Sequence, residues 1–481
     1  MISDTFRRAL LSGKALDVRA AATTATAVTT TPSAAEVFCE YFGSPIQLTR
    51  IGAKHCLSHS RGWFLFSGAA CYGRRSSGEP AEDFSRLLAD VVDEVATESG
   101  DVQLPFDLAE VVTNLREERY PLPPGGRFEA LGVNSAARSI YYFLRPLLAV
   151  GVRKHLQRTR LSGWENIAFP TWPVDDSVDQ IMRATMALVL RRAGVKEIPF
   201  IWFWPKGATG CAMMTHDVEG PTGAQFCPSL ADLDESFGIR SAFQMIPRSP
   251  FERSLVDLLR RRGFEVNLHD LAHDGYLFHD RKVFRSRAAE INRFTRQFQC
   301  RGFRSGAMYR EQAWFDSFEF SYDMSVPNAA HLEPQRGGCC TVLPYFVGDL
   351  LELPLTTTQD YSLFHILGEY SVERWKQQTE ILLSKNGLVT FIAHPDYLVE
   401  ERALTVYKEL LEYLAQLRSE RNVWIALPGE VNDWWRDRRR MTLVRNGSTW
   451  CIEGPGSDRA RIAYASLHGD SVTYRVAESS I

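Results

Sequence analysis

The sequence predicts an α/β protein built on a parallel sheet or barrel, with an N-terminal α/β region before it and a small C-terminal β extension after it. Three observations carry that expectation. From Cys211 onward, short apolar runs alternate with amphipathic stretches, the pattern of parallel strands joined by helices. The intervening stretches place apolar residues at helical spacing, as Leu404, Tyr407, Leu411 and Leu414 do within Glu401 to Arg418. Several apolar runs end abruptly in His, Asp or Glu, and in barrels catalytic groups sit where strands end and loops begin.

Taken in order, Met1 to Ser33 reads as a leader. Its basic Arg7, Arg8 and Lys14 are followed by an apolar stretch broken at Asp17 and Arg19, and residues 20 to 33 are Ala/Thr-rich. That makes a poor export signal, so a cytoplasmic protein is expected. Residues 34 to 203 form the N-terminal α/β region, interrupted by the turn-rich Tyr120-Pro121-Leu122-Pro123-Pro124-Gly125-Gly126. Within it, Tyr141 to Val152 reads as a core helix with a basic end. Asp175-Asp176-Ser177 reads as the cap of a helix carrying Val178, Ile181, Met182, Thr185 and Val189 on one face, ended by Gly194.

The barrel is expected over residues 204 to 436. Its strands are Cys211 to Thr215, Ala242 to Ile246, Phe264 to Leu268 and Leu388 to Ala393, with Leu350 to Leu353 and Val423 to Ala426 beside them. Its helices include Phe251 to Arg262 and Val283 to Phe298. The extension, residues 437 to 481, reads as strands Thr442 to Val444, Thr449 to Ile452, Arg461 to Tyr464 and Ser471 to Val476, separated by Gly and Asn turns.

Composition narrows the function classes. A chain of 481 residues exceeds the length at which single cores usually stop growing. With 55 basic against 58 acidic side chains, it has no electrostatic footprint for nucleic acid. The Arg436-Asp437-Arg438-Arg439-Arg440 run reads as a solvated helix end. Nine cysteines without a CxxC pair argue against a disulfide framework and a structural zinc site, and fit a reducing compartment; the adjacent Cys339 and Cys340 read as packing. No apolar run approaches the roughly 18 residues that span a bilayer, so no transmembrane segment is expected.

The chemistry concentrates at two strand ends. Cys211-Ala212-Met213-Met214 runs into Thr215-His216-Asp217-Val218-Glu219-Gly220-Pro221, and Phe264-Glu265-Val266-Asn267-Leu268 runs into His269-Asp270-Leu271-Ala272-His273. Seven of the eleven histidines lie from His216 to His394. Three of them, His216, His269 and His394, directly follow an expected strand, where function is favoured over packing. A mixed His and carboxylate set with open positions suits a catalytic divalent metal.

These motifs resemble those of the polysaccharide deacetylases, carbohydrate esterase family 4. Thr215 to Glu219 is similar to the branch of that family that spaces its two acids by one residue. His269 and His273 match its two metal-binding histidines. Arg301-Gly302-Phe303-Arg304-Ser305-Gly306 resembles its Arg motif, and Val389-Thr390-Phe391-Ile392-Ala393-His394-Pro395 its last strand. The resemblance covers Trp204 to Arg436. It implies a distorted (β/α) barrel and a metal-dependent hydrolase that removes N-acetyl or O-acetyl groups from a saccharide, with a divalent ion, Zn2+ by expectation.

It further implies Asp217 as base, Glu219 with His269 and His273 as metal ligands, Arg304 steering Asp217, and His394 as acid; the exchange of roles between Asp217 and Glu219 stays open. Two departures stand out: Gly306 occupies a position where the family often has Pro, and Glu219 one where it has Asp. A carboxylate beside His394 would raise its pKa, and Asp396 and Glu352 are candidates. Tyr309, Tyr361 and, in a long loop, His331 are candidate substrate contacts; Trp314 reads the same way. The rival readings are a metal-dependent hydrolase of a non-sugar amide or imide, and a non-catalytic carbohydrate-binding protein on the same barrel. A nucleophilic serine hydrolase is disfavoured, since no G-x-S-x-G elbow occurs.

Overall fold

The computed structural model describes residues 32–45, 51–54, 56–84, 87–98, 101–122, 155, 158–248, 253–447 and 449–477. The expected helix from Tyr141 to Val152 and all but the last two residues of the expected leader lie outside them. Ser33 caps the first helix, α1 (Ala34–Phe42): its hydroxyl accepts from Glu36 N, and the Glu36 carboxylate accepts from Ser33 N. β1 (Ile51–Ala53), the hairpin β2 (Gly62–Phe66) and β3 (Ala69–Gly73), β4 (Ala96–Glu98), β5 (Asp101–Leu104) and α2 (Leu108–Arg116) follow. β5 lies between β1, parallel, and β4, antiparallel. Then come α3 (Ser177–Ala193), ended by Gly194 at φ +61° as expected, and β6 (Glu197–Ile201).

The main sheet begins with β7 (Cys211–Val218), α4 (Pro221–Ser236), β8 (Ala242–Met245), α5 (Arg253–Arg261), β9 (Glu265–His269), α6 (Arg281–Phe298), β10 (Gly302–Arg304) and β11 (Tyr322–Asp323). It continues with β12 (Tyr345–Val347), β13 (Leu350–Glu352), α7 (Glu373–Ser384), β14 (Leu388–Ala393), α8 (Pro395–Leu398), α9 (Glu401–Arg421), β15 (Trp424–Ile425) and α10 (Pro428–Arg440). Strands β13-β11-β10-β9-β8-β7-β14 are parallel neighbours; β12 runs antiparallel along β13, and β15 joins the start of β7. Every residue of β7 and β14 is buried. Covered on both faces, such strands read as continuous apolar runs.

Side chains close the ring. Beyond β13, Leu355 bridges Pro327. Thr356 Oγ1 donates to the Leu388 carbonyl (2.9 Å) and accepts from Thr390 N (2.9 Å), while Thr357 Oγ1 donates to the Thr390 carbonyl (2.7 Å). The chain after β13 thus lies against β14 at the other end of the sheet, with threonine hydroxyls in place of a backbone ladder. The fold is an α/β barrel distorted at this seam.

The chain ends in two hairpins, β16 (Thr442–Asn446) with β17 (Thr449–Glu453) and β18 (Ile462–His468) with β19 (Ser471–Val476). β18 also pairs antiparallel with β6, from Ile462↔Ile201 to Ser466↔Glu197, so residues before and after the barrel share one sheet. In the Arg436 to Arg440 run, Arg439 and Arg440 are exposed as a solvated helix end should be, but Arg438 is not. Arg438 is buried, donating to the carbonyls of Tyr41 (3.0 Å), Ile201 (2.8 Å) and Trp202 (3.2 Å) and lying over the Phe203 and Trp435 rings. Among the described residues no helix is long and apolar enough to cross a membrane.

Candidate metal centre

Side chains alternate between the two faces of a strand, and this sorts the polar residues of β7. Thr215 and Asp217 point into the barrel. His216 points outward, where its Nδ1 is 3.1 Å from the Ala393 carbonyl and its Nε2 is 3.2 Å from Asp234 Oδ2 and 3.3 Å from Tyr407 Oη. Ser241 and Tyr407 hydroxyls donate to the same Asp234 carboxylate. His216 is therefore a satisfied core histidine, lying within β7 rather than after the strand as expected.

Asp217 is buried and held by Arg304 at the end of β10. Arg304 Nη1 donates to Asp217 Oδ1 (2.6 Å) and to Thr215 Oγ1 (3.0 Å), and its Nε donates to the Met324 carbonyl (3.1 Å). Thr215 Oγ1 spends its own proton on the Phe391 carbonyl (2.6 Å), which leaves it an acceptor for the guanidinium. Burial opposes ionisation of Asp217, but the Arg304 guanidinium foremost outweighs it and holds the carboxyl below the usual range.

Glu219, just past β7, meets the two histidines of the second motif. One donor atom from each of Glu219, His269 and His273 lies within 4.8 Å of the others. Glu219 Oε1 is 2.8 Å from His273 Nε2, 3.7 Å from His269 Nε2 and 3.6 Å from His394 Nε2, while Asp217 Oδ2 stands 3.9 Å from His269 Nε2. Burial acts against the Glu219 charge; His273 foremost, with His269 and His394, reverses this and places its pKa well below the ordinary value.

The donor set fits a divalent cation. His269 Nδ1 donates to the Arg304 carbonyl (3.1 Å), which fixes the tautomer that leaves Nε2 with a bare lone pair, and that buried Nε2 has no hydrogen-bond partner. Glu219 and His273 keep 24% and 14% of their side chains exposed, so the centre opens to solvent. Two histidines and one glutamate with open positions match the ligand type of catalytic zinc.

The His273 loop explains the glycine at 306. Asp270 and His273 both adopt left-handed backbone conformations, at φ +52° and +46°. Gly306 N donates to Asp270 Oδ2 (3.2 Å), and a Cβ at 306 would stand 2.6 Å from that oxygen and 3.1 Å from His273 Cδ2. A proline could neither donate nor fit.

His394 follows β14, as expected, but its carboxylate partner is neither Asp396 nor Glu352. Asp360 Oδ1 is 2.6 Å from His394 Nδ1, and Asp360 Oδ2 accepts from His394 N (2.6 Å). Burial disfavours the imidazolium; Asp360 more than offsets it and raises the His394 pKa well above its ordinary value. Glu352 instead accepts from Val326 N (3.0 Å) and pairs with Asp323, burial and then that second acid raising its pKa well above the ordinary value. Asp360 belongs to a threonine-rich stretch without strand or helix periodicity, 34 residues before His394; the one available signal was an acid just beyond the closing seam.

Of the expected substrate contacts, Tyr361 reaches these groups through Tyr397. Its ring is 5.8 Å from that of Tyr397, which is 4.9 Å from the His394 ring. Tyr309 is buried just past the 306–308 turn. His331 is buried against Trp172, its Nε2 3.4 Å from the Ile167 carbonyl. Trp314 packs on Phe284 in the core around α6.

Fold and site together define an α/β-barrel protein with a His-His-Glu candidate metal centre beside an Asp-Arg pair and an Asp-His pair. No family model matches the chain, and no curated protein matches it. Solved structures similar to it include a protein from Mycobacterium smegmatis named as a polysaccharide deacetylase (17% identity, 49% of this chain and 93% of that one, TM-score 0.40). An allantoinase (14%, 48% and 92%, 0.40) is another, as is a family 4 acetyl xylan esterase from Clostridium thermocellum in complex with cobalt (12%, 47% and 91%, 0.30).

Proposed function

We propose that the protein is a metal-dependent hydrolase of the polysaccharide deacetylase type, removing acetyl groups from a saccharide. The observation that carries this reading is the bare, buried Nε2 of His269, aimed at the same small volume as Glu219 and His273. A divalent ion there would be held by Glu219, His269 and His273, and would supply Lewis-acid polarisation of the acyl carbonyl and acidification of water. The two-histidine, one-carboxylate set supports zinc.

The chain's own residues divide the proton work. Asp217, kept ionised by Arg304, accepts the proton of the attacking water. His394, kept protonated by Asp360, presents its Nε2–H toward the site and delivers that proton to the departing amine or alcohol. Arg304 aims Asp217 and, through its carbonyl, orients His269. Tyr361 and Tyr397 offer ring faces for a sugar beside His394. The exposed Glu219 and His273 edges give substrate its approach. The six buried thiols, Cys71, Cys211, Cys227, Cys300, Cys339 and Cys340, support a cytoplasmic setting and hence a soluble acetylated precursor as substrate.

Metal analysis of the purified protein tests the reading. About one zinc per chain is expected in the wild type and none in the His269→Ala, His273→Ala double variant, together with acetate release from a panel of acetylated saccharides that the variant lacks. A wild type that takes up no divalent metal even in excess would overturn it.

A further inference from the structure

Asp396, two residues after His394, does not serve the histidine. Its carboxylate reaches across to the start of α4, accepting from Gly223 N at Oδ1 (3.0 Å) and from Gly220 N at Oδ2 (3.3 Å). Gly220 is the N-cap of α4 and has no side chain with which to cap its own helix. The cap comes instead from a residue 173 positions along the chain, and its charge faces the positive end of the helix.

Both glycines are explained by this approach rather than by backbone conformation. A Cβ at 223 would stand 2.1 Å from Asp396 Oδ2 and 3.0 Å from Asp396 N, and one at 220 would stand 2.7 Å from Oδ1. Glu219 is covalently joined to Gly220, and His394 lies two residues before Asp396. The contact therefore ties the two short segments that carry the proposed ligand and the proposed acid, whose reactive atoms lie 3.6 Å apart.

We propose that Asp396 is a positioning residue that sets the separation between Glu219 and His394 by capping α4 from α8. The inference rests on the metal-hydrolase reading of the site, but it concerns the placement of this chain's own side chains. Residues that orient metal ligands from outside typically cost 10- to 100-fold in metal affinity when removed.

Zinc affinity of the full chain, measured by chelator competition, gives the test. Asp396→Ala is expected to weaken binding roughly 10- to 100-fold, and Asp396→Asn, which keeps one acceptor, to weaken it less. Ala231→Gly, a destabilising change further along α4, controls for stability alone and should leave affinity as in the wild type. Crystal structures of metal-free wild type and Asp396→Asn supply a second readout, with a widened Glu219 to His394 separation expected. Affinity of Asp396→Ala within twofold of wild type while Glu219→Ala loses zinc, or an unchanged separation, would overturn the proposal. Should the wild type bind no zinc, the metal reading falls, and the separation alone decides the role of Asp396.

Discussion

Asp360 grips His394 twice, one carboxylate oxygen on the ring Nδ1 and the other on the backbone N, each at 2.6 Å. The grip fixes both ring orientation and charge. In the proposed mechanism His394 acts while protonated, so the basic limb of the pH–activity profile follows its pKa, which burial lowers and Asp360, followed by Glu219, raises to a net position well above the ordinary value. Asp360→Asn should move that limb to lower pH and reduce kcat by about 10²- to 10⁴-fold, the range of a general acid. A profile of kcat against pH reads both, and an unshifted basic limb counts against the pairing.

The Gly306 loop predicts a graded series. Gly306→Ala places a methyl 2.6 Å from Asp270 Oδ2; Gly306→Pro adds the loss of the N–H donated to that oxygen. Overpacking costs about 1–3 kcal/mol, and an orphaned buried acceptor a similar amount. The proline variant should therefore be the less stable of the two in denaturant titration. Equal stabilities would remove the hydrogen bond from the account.

How much of this was legible in the sequence depended on what each residue's partner was. The strands β7 and β14 announced themselves because burial on both faces makes them near-continuous apolar runs, and β8 and β9 as short runs interrupted by Gln244 and Asn267, with polar groups at the ends of β7 and β9. Asp217, His269, His273 and His394 were visible for that reason. The N-terminal strands β1 to β5 are three to five residues long, too short for a period to stand out, and the seam at Thr356 and Thr357 uses side chains no periodicity encodes. His216 misled because one residue of register separates the inner face of a strand from the outer. Asp360, Asp396 and Arg438 act through contacts 34, 173 and up to 397 residues away, which a linear reading does not pair.

His331 and Glu333 pull the pH dependence of stability in opposite directions. Burial takes His331 down from 6.5 to about 4, so the unfolded chain binds more protons in between, and this contribution to stability is lost as pH falls through that window. Burial takes Glu333 up from 4.5 to about 7, so the folded chain binds more protons, and its contribution is lost as pH rises through its own window. Each is worth up to about 3 kcal/mol at 1.36 kcal/mol per pH unit, and between pH 4.5 and 6.5 the two nearly cancel. Chemical denaturation across pH 4 to 7.5 should give His331→Phe a stability that falls with pH relative to wild type, and Glu333→Gln one that rises.

Arg438 is a buried cation facing carbonyls rather than a carboxylate, and burial lowers its pKa to about 10. Its planar fork serves Tyr41, Ile201 and Trp202 at once, a geometry that lysine does not reproduce. Arg438→Lys should cost about 3–6 kcal/mol, roughly two hydrogen bonds from a charged donor to neutral acceptors. Thermal unfolding that matches wild type would show that the ammonium or water satisfies those carbonyls.

The residues before the barrel complete its seam. Asp179 on α3 accepts from Val342 N (2.8 Å), Thr341 Oγ1 (3.0 Å) and Tyr41 Oη (2.9 Å). Val178 N donates to the Cys340 carbonyl (3.0 Å), and Asn328 exchanges hydrogen bonds with the Asp175 backbone. Val342 in turn supplies the carbonyl that meets Leu388 N at the start of β14 (2.8 Å). Cutting at the expected domain boundaries would strip these partners from a buried seam, at about 1–3 kcal/mol for each group left unsatisfied, against a total stability of about 5–15 kcal/mol for a folded domain. A fragment of residues 204 to 436 should therefore lack a cooperative unfolding transition and fail to bind zinc, although it contains every proposed ligand. In the full chain Asp179→Ala should lower stability by several kcal/mol while leaving zinc affinity intact at permissive temperature, because α3 supports the seam and none of the donors. A fragment that folds and binds zinc as tightly as the full chain would make the barrel an independent domain and reduce α3 to packing.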